Sequence, residues 1–213
     1  MFNRNYSKYY DLLNRDKPYQ KEIKFVYRWA KKPKSIFDIG CGTGSYWKYY
    51  PPKTKIFGVD KSRSMSAQPN DRGEIICADI TGLKVESQFD CATALFDVIN
   101  YIPTHDWWKR IPVKKMGYFI FDIWDKNKID QDGFRTTVKN IGDISRSIIP
   151  INHNERSVTL LIDVYVGKKY FKEKHKMYLH SHEDILNFCG KEFEIVSVKS
   201  TKFWQTWYKC KRK

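Results

Sequence analysis

A loop with three glycines at alternating positions is the stretch of this chain best suited to chemistry. It follows an apolar run at residues 36–39 and contains the sequence Asp38-Ile-Gly-Cys-Gly-Thr-Gly44. Glycine adopts a positive φ at little cost, and its missing Cβ lets a ligand approach the backbone closely. The apolar run predicts a buried strand, and Ser45–Tyr50 predicts a helix whose N-terminus faces the same ligand.

Two nucleotide-binding motifs nearly fit this loop and fail. The dinucleotide pattern G-x-G-x-x-G requires a glycine where Ser45 or Trp47 stands, and a phosphate-binding P-loop requires Gly-Lys-Ser/Thr, which is absent. The remaining pattern, Asp-x-Gly-x-Gly-x-Gly, suits a nucleoside without phosphates.

Two carboxylates follow the next two predicted strands. Lys55-Ile-Phe-Gly-Val-Asp60 ends in an acid, and Glu74-Ile-Ile-Cys-Ala-Asp-Ile80 contains another at Asp79. Asp60 lies about 20 residues beyond the first glycine, where an α/β nucleotide-binding fold places the acid that binds ribose hydroxyls. Asp79 is placed to meet an adenine amino group. Either acid alone is also a common helix cap.

Together, the glycine loop, Asp60 and Asp79-Ile80 resemble the class I S-adenosylmethionine-dependent methyltransferases, and some other α/β fold is the alternative. The resemblance implies a doubly wound α/β fold with a mostly parallel, seven-stranded Rossmann-like sheet. It implies S-adenosyl-L-methionine as cofactor and S-adenosyl-L-homocysteine as product. The residues that it assigns to the cofactor are Tyr10, Tyr19, Asp38, Gly40, Cys41, Gly42, Gly44, Asp60, Lys61, Met65, Asp79, Ile80 and Phe96.

Two later segments also resemble methyltransferase sequences. Phe121-Asp-Ile-Trp-Asp125 resembles the Phe-Asp-Phe-Trp ending of a strand in small-molecule and sugar methyltransferases. Glu173-Lys-His-Lys-Met-Tyr178 resembles the Glu-x-His-x-Met-Arg of aminosugar and related N- and O-methyltransferases, with tyrosine in place of arginine. The segment Asp97–Ile102, which lies beneath the sulfonium in that family, lacks the Asn/Asp-Pro-Pro-Tyr motif of enzymes that methylate DNA-base amino groups.

The acceptor determines whether the reaction needs a base. A hydroxyl group needs a base to remove its proton, whereas an amine needs only to arrive neutral. Strand periodicity places Glu173 and His175 on one face, where the pair orients either the substrate or the structure. Our candidates for catalysis are His175, Tyr101 and Asp97, with His153 and His180 as further candidate bases. For acceptor binding the candidates are Asn100, Trp124 and His180, and the sequence shows no metal cluster.

Hydrophobic patterning predicts a cofactor-binding core with a β insertion. Residues 1–133 predict a helical lid, in which tyrosines either cover the cofactor or pack on the sheet, followed by the α/β core. Residues 134–180 predict an antiparallel β insertion over the active site, and residues 181–213 predict a last helix and closing strands. The closing strands are expected at Phe193–Lys199 and Phe203–Lys211.

Three further features of the pattern bear on the site. The N-terminal helix is expected to break near Pro18. Residues 158–166 alternate between apolar and other side chains, as a strand with one buried face requires. His105–Arg110 predicts a helix, whose Trp107 and Trp108 either hold substrate or pack on the sheet.

Composition predicts a folded globular protein with an unusual basic charge. The 213 residues are 41% hydrophobic and 16% aromatic, and their formal net charge is +15. The charge indicates either attraction to nucleic acid or a lysine-rich solvated surface, and we favour the surface because no compact basic–aromatic module stands out. The five cysteines have no C-x-x-C spacing, which indicates reduced thiols. Neither a signal peptide nor a membrane-spanning apolar run is evident, so we expect a cytoplasmic protein.

We therefore expect a methyltransferase that moves a methyl group to an oxygen or nitrogen atom of a small-molecule acceptor. An RNA- or protein-modifying methyltransferase, favoured by the basic charge, is one alternative. A non-catalytic cofactor-binding protein is the other. We expect no membrane partner, and the oligomeric state is open, with a dimer among the options.

Overall fold

Two β-sheets and their flanking helices form the part of the chain that a computed structural model describes, residues 4–68, 70–103, 106–201 and 204–213. The strands are β1 (Ser35–Ile39), β2 (Lys55–Asp60), β3 (Glu74–Cys77), β4 (Phe89–Ala94), β5 (Val113–Trp124), β6 (Thr137–Ile141), β7 (Ile144–Asn154), β8 (Ser157–Val166), β9 (Lys169–Tyr178), β10 (Phe193–Ser200) and β11 (Gln205–Arg212). The helices are α1 (Arg4–Leu13), α2 (Tyr19–Trp29), α3 (Arg63–Ser66), α4 (Lys126–Asp132) and α5 (His182–Cys189).

The larger sheet has seven strands in the order β10-β11-β5-β4-β1-β2-β3. Strands β1 to β5 pair in parallel, and β11 and β10 run antiparallel at one edge. This arrangement confirms the predicted doubly wound, mostly parallel sheet. The chain moves outward from β1 to β2 and β3 and then returns to β4 on the other side. In such sheets ligands bind at the carboxyl ends of the strands beside this reversal.

The central strands of this sheet are buried on both faces. Phe37 and Phe119 pack with Trp108 on one face, whereas Ile36 and Trp47 belong to the core on the other. Neighbouring residues of a strand point to opposite faces, so a strand covered on both sides needs a continuous apolar run. The runs in the sequence therefore predicted these strands well.

The smaller sheet is antiparallel and has the order β6-β7-β8-β9. The alternation in residues 158–166 gives it one buried face, which carries Leu160 and Ile162 on β8. Residues of α1 pack against this face, where Tyr6 and Leu13 share a core cluster with Ile162. The sheet and α1 therefore form one wall of the molecule beside the larger sheet.

Three local elements differ from the sequence prediction. The expected helix at Ser45–Tyr50 is one 3-10 turn, Trp47–Tyr49, because Tyr50 is extended before Pro51 and a residue before proline disfavours helix. The third strand ends at Cys77 rather than at residue 80. Helix α4 was not predicted, although Asp125 caps its start by accepting a hydrogen bond from the amide of Asn127.

The expected helix at residues 105–110 is a 3-10 turn, Asp106–Arg110, in which Trp107 and Trp108 are both buried in the core. Packing is therefore their role in this fold. His105 in that prediction and Phe203 in the last predicted strand lie outside the described residues. No helix in the described part of the chain is long and apolar enough to cross a membrane.

Candidate active site

A cavity of about 640 Å³ lies at the carboxyl ends of β1, β2 and β4 and reaches the smaller sheet. Its volume falls within the range of roughly 300–1,000 Å³ that is usual for small-molecule sites. Every residue predicted to bind the cofactor except Gly44 lines this cavity, and so do Asp97, Tyr101, Trp124 and His175. We call the part around the glycine loop, Asp60 and Asp79 the loop end, and the part around Tyr101, Arg146 and His175 the sheet end.

The glycine loop presents bare backbone to the loop end. Gly42 has φ +58°, and a Cβ added there would meet only the terminal methyl of Met65, at 3.2 Å. Its open side therefore faces the cavity. Gly44 does not line the cavity, and a Cβ there would collide with the side chains of Asn70 and Trp47.

Asp60 holds the glycine loop in place. One of its carboxylate oxygens accepts a hydrogen bond from the amide of Gly42 at 2.9 Å, and the other accepts one from the amide of Ser62 at 2.7 Å. Burial raises the pKa of Asp60, against the opposing effect of these two amides. Each oxygen of a carboxylate can accept a second hydrogen bond, so Asp60 both fixes the loop and can bind hydroxyl groups.

Two further carboxylates complete the loop end. Asp79 accepts hydrogen bonds from the amide and hydroxyl of Thr81, which lower the pKa of Asp79 despite the opposing effect of burial. Asp38 accepts hydrogen bonds from Trp47 Nε1 and Thr93 Oγ1, both at 2.7 Å. Burial raises the pKa of Asp38 to about 6. Asp38 therefore supports the loop from beneath, while Asp79 stands at the cavity rim.

Helix α1 is fastened to the glycine loop by Asp11. The hydroxyl of Thr43 donates a hydrogen bond to the Asp11 carboxylate at 2.8 Å, and the hydroxyl of Ser45 donates another. The helix also supplies Tyr6 and Tyr10 to the cavity lining, and Asn14, just after the helix, lines the cavity as well. It is thus both a wall of the cavity and a partner of the loop.

A strained turn after β4 joins the two ends of the cavity. Phe96 and Asp97 have φ values of +70° and +63°, in the left-handed region that side chains disfavour. The Asp122 carboxylate accepts hydrogen bonds from both of their amides, at 2.8 and 3.1 Å, and from the Gln205 side chain at 2.8 Å. Burial and the neighbouring Asp122 raise the pKa of Asp97, and the Trp124 indole donates a hydrogen bond to it. Its surroundings therefore favour the protonated form of Asp97.

His175 is bonded on both sides at the sheet end. Its Nε2 lies 2.7 Å from Glu173 Oε2, and its Nδ1 lies 3.2 Å from the hydroxyl oxygen of Tyr101. Because a carboxylate accepts, Nε2 carries the proton and Nδ1 accepts a hydrogen bond from the Tyr101 hydroxyl. Burial raises the pKa of Tyr101, with Asp97 adding to the effect, so Tyr101 stays protonated. The three side chains form a relay with a basic nitrogen near the cavity.

Two residues predicted to bind the acceptor, Asn100 and His180, lie outside the cavity lining. Asn100 is fully buried, and it donates a hydrogen bond to the carbonyl of Tyr178 at 2.7 Å and accepts one from the amide of Trp124 at 2.9 Å. Its side chain therefore joins the turn to β9 and β5. His180 is buried against the ring of Phe188. Neither Asn100 nor His180 lines the cavity.

The other candidate base, His153, is exposed on β7 and does not line the cavity. Conversely, the sequence analysis missed Arg146, which lines the sheet end. Its Nη1 donates hydrogen bonds to Tyr6 Oη at 3.2 Å and to Asn14 Oδ1 at 3.3 Å. A signal for it was present: Arg146 occupies the same strand face as Ile144 and Ile148, where a charge is unusual.

Comparisons with known proteins agree with this geometry. Residues 36–112 match the family model of a methyltransferase domain. A curated relative from Geobacillus sp. (strain WCH70), named only as a methyltransferase, is 28% identical over 145 residues, which are 59% of this chain and 59% of that protein. The chain thus matches about three-fifths of that relative's length.

The fold is shared with solved methyltransferases over nearly the whole chain. An S-adenosylmethionine-dependent methyltransferase from Clostridium acetobutylicum ATCC 824 has a TM-score of 0.81 at 24% identity, covering 96% of each chain. The S-adenosylmethionine-bound CalS10, an amino pentose methyltransferase from Micromonospora echinaspora, has a TM-score of 0.78 at 16% identity, covering 100% of this chain and 98% of that one. The sugar N-methyltransferase KedS8 from Streptoalloteichus sp ATCC 53650 has a TM-score of 0.74 at 19% identity, covering 93% and 91%.

Residues 36–112 are therefore similar to a methyltransferase domain, and the chain has the fold of the solved methyltransferases. This similarity agrees with the resemblance to class I S-adenosylmethionine-dependent methyltransferases seen in the sequence.

Proposed function

We propose that the protein transfers a methyl group from S-adenosylmethionine to an oxygen or nitrogen atom of a small-molecule acceptor. The observation that carries this proposal is the continuity of the cavity, which joins Gly42 and Asp60 at the loop end to Tyr101 and His175 at the sheet end. A nucleoside and a second molecule held in one cavity are the geometry that direct group transfer requires.

The loop end fits the cofactor. Gly42 offers backbone without a Cβ, Asp60 has acceptor capacity for ribose hydroxyls, and Met65 and Ile80 supply apolar wall. The hydroxyl of Tyr19 is buried, lines the cavity and bonds to no atom of the described residues, so a polar group of the cofactor would satisfy it. When bound, the cofactor supplies a methyl group already activated on a sulfonium.

The chain's own residues must then position the acceptor and take up its proton. The hydroxyl that Tyr101 directs at His175 Nδ1 marks a place where a hydroxyl or ammonium group of the acceptor can also bond. Tyr101 Oη would take the proton of the acceptor as it passes its own proton to His175 Nδ1, and Glu173 would stabilise the resulting imidazolium through Nε2. Burial and the neighbouring Asp122 favour the protonated form of Asp97, so we assign it to positioning within the cavity and the base role to His175.

The walls of the sheet end favour a small acceptor. Helix α1 packs against the buried face of the smaller sheet, and both elements line the cavity. CalS10 and KedS8 act on sugars, which makes amino and hydroxy sugars the first acceptors to test. The basic charge of +15 favours RNA as a second candidate. Transfer to RNA that falls steeply with rising salt would replace the small-molecule proposal.

A panel of amino sugars, hydroxy sugars and simple amines tests the proposal. We expect S-adenosylhomocysteine to form in step with a methylated member of the panel, detected by mass spectrometry, and calorimetry to show one cofactor site. Folded protein that binds neither S-adenosylmethionine nor S-adenosylhomocysteine would defeat the proposal. The matched control is the same panel without protein.

A further inference from the structure

We infer that the acceptor carries a carboxylate, which Arg146 binds at the sheet end of the cavity. The inference rests on the proposed methyl transfer and deepens it, because it names a chemical group of the acceptor. It makes Arg146 a specificity-determining residue of the site.

Arg146 stands on an apolar strand face. In the register of β7 and β8, Arg146 lies opposite Val164 and Ile148 lies opposite Ile162. Val164 and Ile162 are buried, at 0% and 4% exposure, and Ile148 and Ile162 line the cavity together with Arg146. Arg146 itself is half-buried, and a guanidinium that apolar neighbours partly cover gains stability when an anion joins it in the cavity.

The protein itself supplies Arg146 with neutral partners. Nη1 donates to a tyrosine hydroxyl and to an asparagine carbonyl, at 3.2 and 3.3 Å. Nε is buried and bonds to no acceptor within the described parts of the chain. Among those same residues, no carboxylate oxygen lies within the 4.0 Å of an ion pair with this guanidinium. Within the described residues, Arg146 therefore has no direct ion-pair partner and keeps a donor for a ligand.

The charged groups around Arg146 are otherwise engaged. Glu173, two strands away on β9, bonds to His175 at 2.7 Å. Tyr6 remains a neutral hydroxyl, since burial raises its pKa and outweighs the opposing influence of Arg146. Of the other cations in the lining, Lys61 follows Asp60 at the loop end, and the ammonium of Lys176 lies 5.3 Å from the ring centre of Tyr178.

A carboxylate matches this site better than other anions do. A guanidinium presents a planar fork of N–H donors that fits the two oxygens of a carboxylate. One arginine with neutral and apolar neighbours balances one negative charge. A phosphate monoester would bring close to two charges and leave the second uncompensated. The apolar side chains of Ile148 and Ile162 would then pack on the carbon skeleton of the acid.

Matched acids and neutral analogues test the inference. Glucuronate against glucose, and benzoate against benzamide, are titrated into the protein with S-adenosylhomocysteine, and binding is measured by ligand-observed NMR. We expect each acid to bind at least about tenfold more tightly than its neutral analogue. In Arg146→Gln the difference should fall below about twofold. In Arg146→Lys it should be intermediate, because lysine keeps the charge without the fork.

Arg135→Gln is the matched control, since Arg135 is exposed and outside the cavity lining. It should keep the full preference for acids. Calorimetry of S-adenosylhomocysteine on each variant checks the fold, with affinity expected within about threefold of the unaltered protein.

Equal binding of acid and neutral analogue would overturn the inference, as would an acid preference that survives in Arg146→Gln. Phenyl phosphate binding more tightly than benzoate would replace the carboxylate by a phosphate. Failure of S-adenosylhomocysteine to bind would instead defeat the proposed function. The same titrations without it would still decide whether Arg146 selects acids.

Discussion

The two ends of the cavity are built by different means. At the loop end the contacts come from neighbouring stretches of backbone, such as the Gly42 amide on Asp60, 18 residues apart. At the sheet end they come from side chains brought together over long distances, such as Arg146 on Tyr6, 140 residues apart. Local backbone geometry requires particular residue types at fixed spacing, whereas a wall of side chains can be made in many ways. The loop end is therefore the more constrained part of the cavity, and the sheet end is the part that side-chain changes can alter more freely.

The contrast between the two ends of the cavity predicts that the loop end tolerates no side chain at Gly42. Gly42→Val places a Cβ in the cavity and strains a left-handed residue, so we expect S-adenosylhomocysteine binding to fall below detection in calorimetry. Gly142→Val is the matched control, because Gly142 has φ +59° with nothing near its Cβ position. It should lose similar stability and keep binding. Binding by Gly42→Val would show that the loop end lies elsewhere.

A substitution at the sheet end should lower the rate of methyl transfer without lowering the affinity for the cofactor. His175→Ala removes the proposed base, and we expect methyl transfer to fall by about 100-fold while cofactor affinity stays within about threefold. His182→Ala is the control, because His182 makes a similar contact to a tyrosine hydroxyl, Tyr208, at 3.1 Å. Parallel losses of turnover and cofactor affinity in His175→Ala would place His175 in the scaffold of both ends.

Asp60→Ala should lower the affinity for the cofactor by a smaller factor. A hydrogen bond to a charged group contributes about 1.5–3 kcal/mol, so affinity should fall by roughly one to two orders of magnitude. Asp90→Ala is the control, since Asp90 also accepts two backbone amides, from Lys34 and Ser35 at 2.8 and 3.0 Å. Calorimetry should show that the control keeps its affinity. Unchanged affinity in Asp60→Ala would reduce Asp60 to a support for the loop.

The smallest effect on ligand affinity is expected at Asp38, which acts on stability instead. Its folded-state pKa is raised to about 6 from 3.8, so the folded state holds the proton more tightly than the unfolded state. Stability from this group is present at low pH and is lost as pH rises from about 4 to about 6. In Asp38→Asn this loss should disappear, as urea unfolding at several pH values would show. A stability difference between the two proteins that is constant with pH would contradict the assignment.

The sequence predicted the parallel sheet because its strands are short apolar runs bounded by turns. The strand Lys55–Asp60 was predicted to the residue, and Gly42, Asp60 and Asp79 line the cavity. Short 3-10 turns were predicted as helices because the residues around them are compatible with a helix. The turn Trp47–Tyr49 stops after one turn because Tyr50 is extended before Pro51. The loop end was accessible to sequence reasoning because its residues follow one another along the chain.

The sheet end was harder for a physical reason. Asn100 and His180 are polar residues in the right segments, yet their partners are backbone and core groups that only the fold brings near. Arg146 was overlooked because a single charge within an apolar strand is visible only after the strand face is known. Its partners Tyr6 and Asn14 come from the opposite end of the chain.

The hydrogen bonds from Thr43 and Ser45 to Asp11 have a consequence for the timing of each catalytic cycle. Helix α1 forms part of the cavity wall, and these bonds hold it on the glycine loop. If product and cofactor exchange past this wall, the bonds must break first, so their lifetime would limit the rate of exchange. Asp11→Asn would weaken both bonds and shorten the residence time of S-adenosylhomocysteine. In the unaltered protein, release of product would set the rate of turnover wherever it is slower than the transfer of the methyl group.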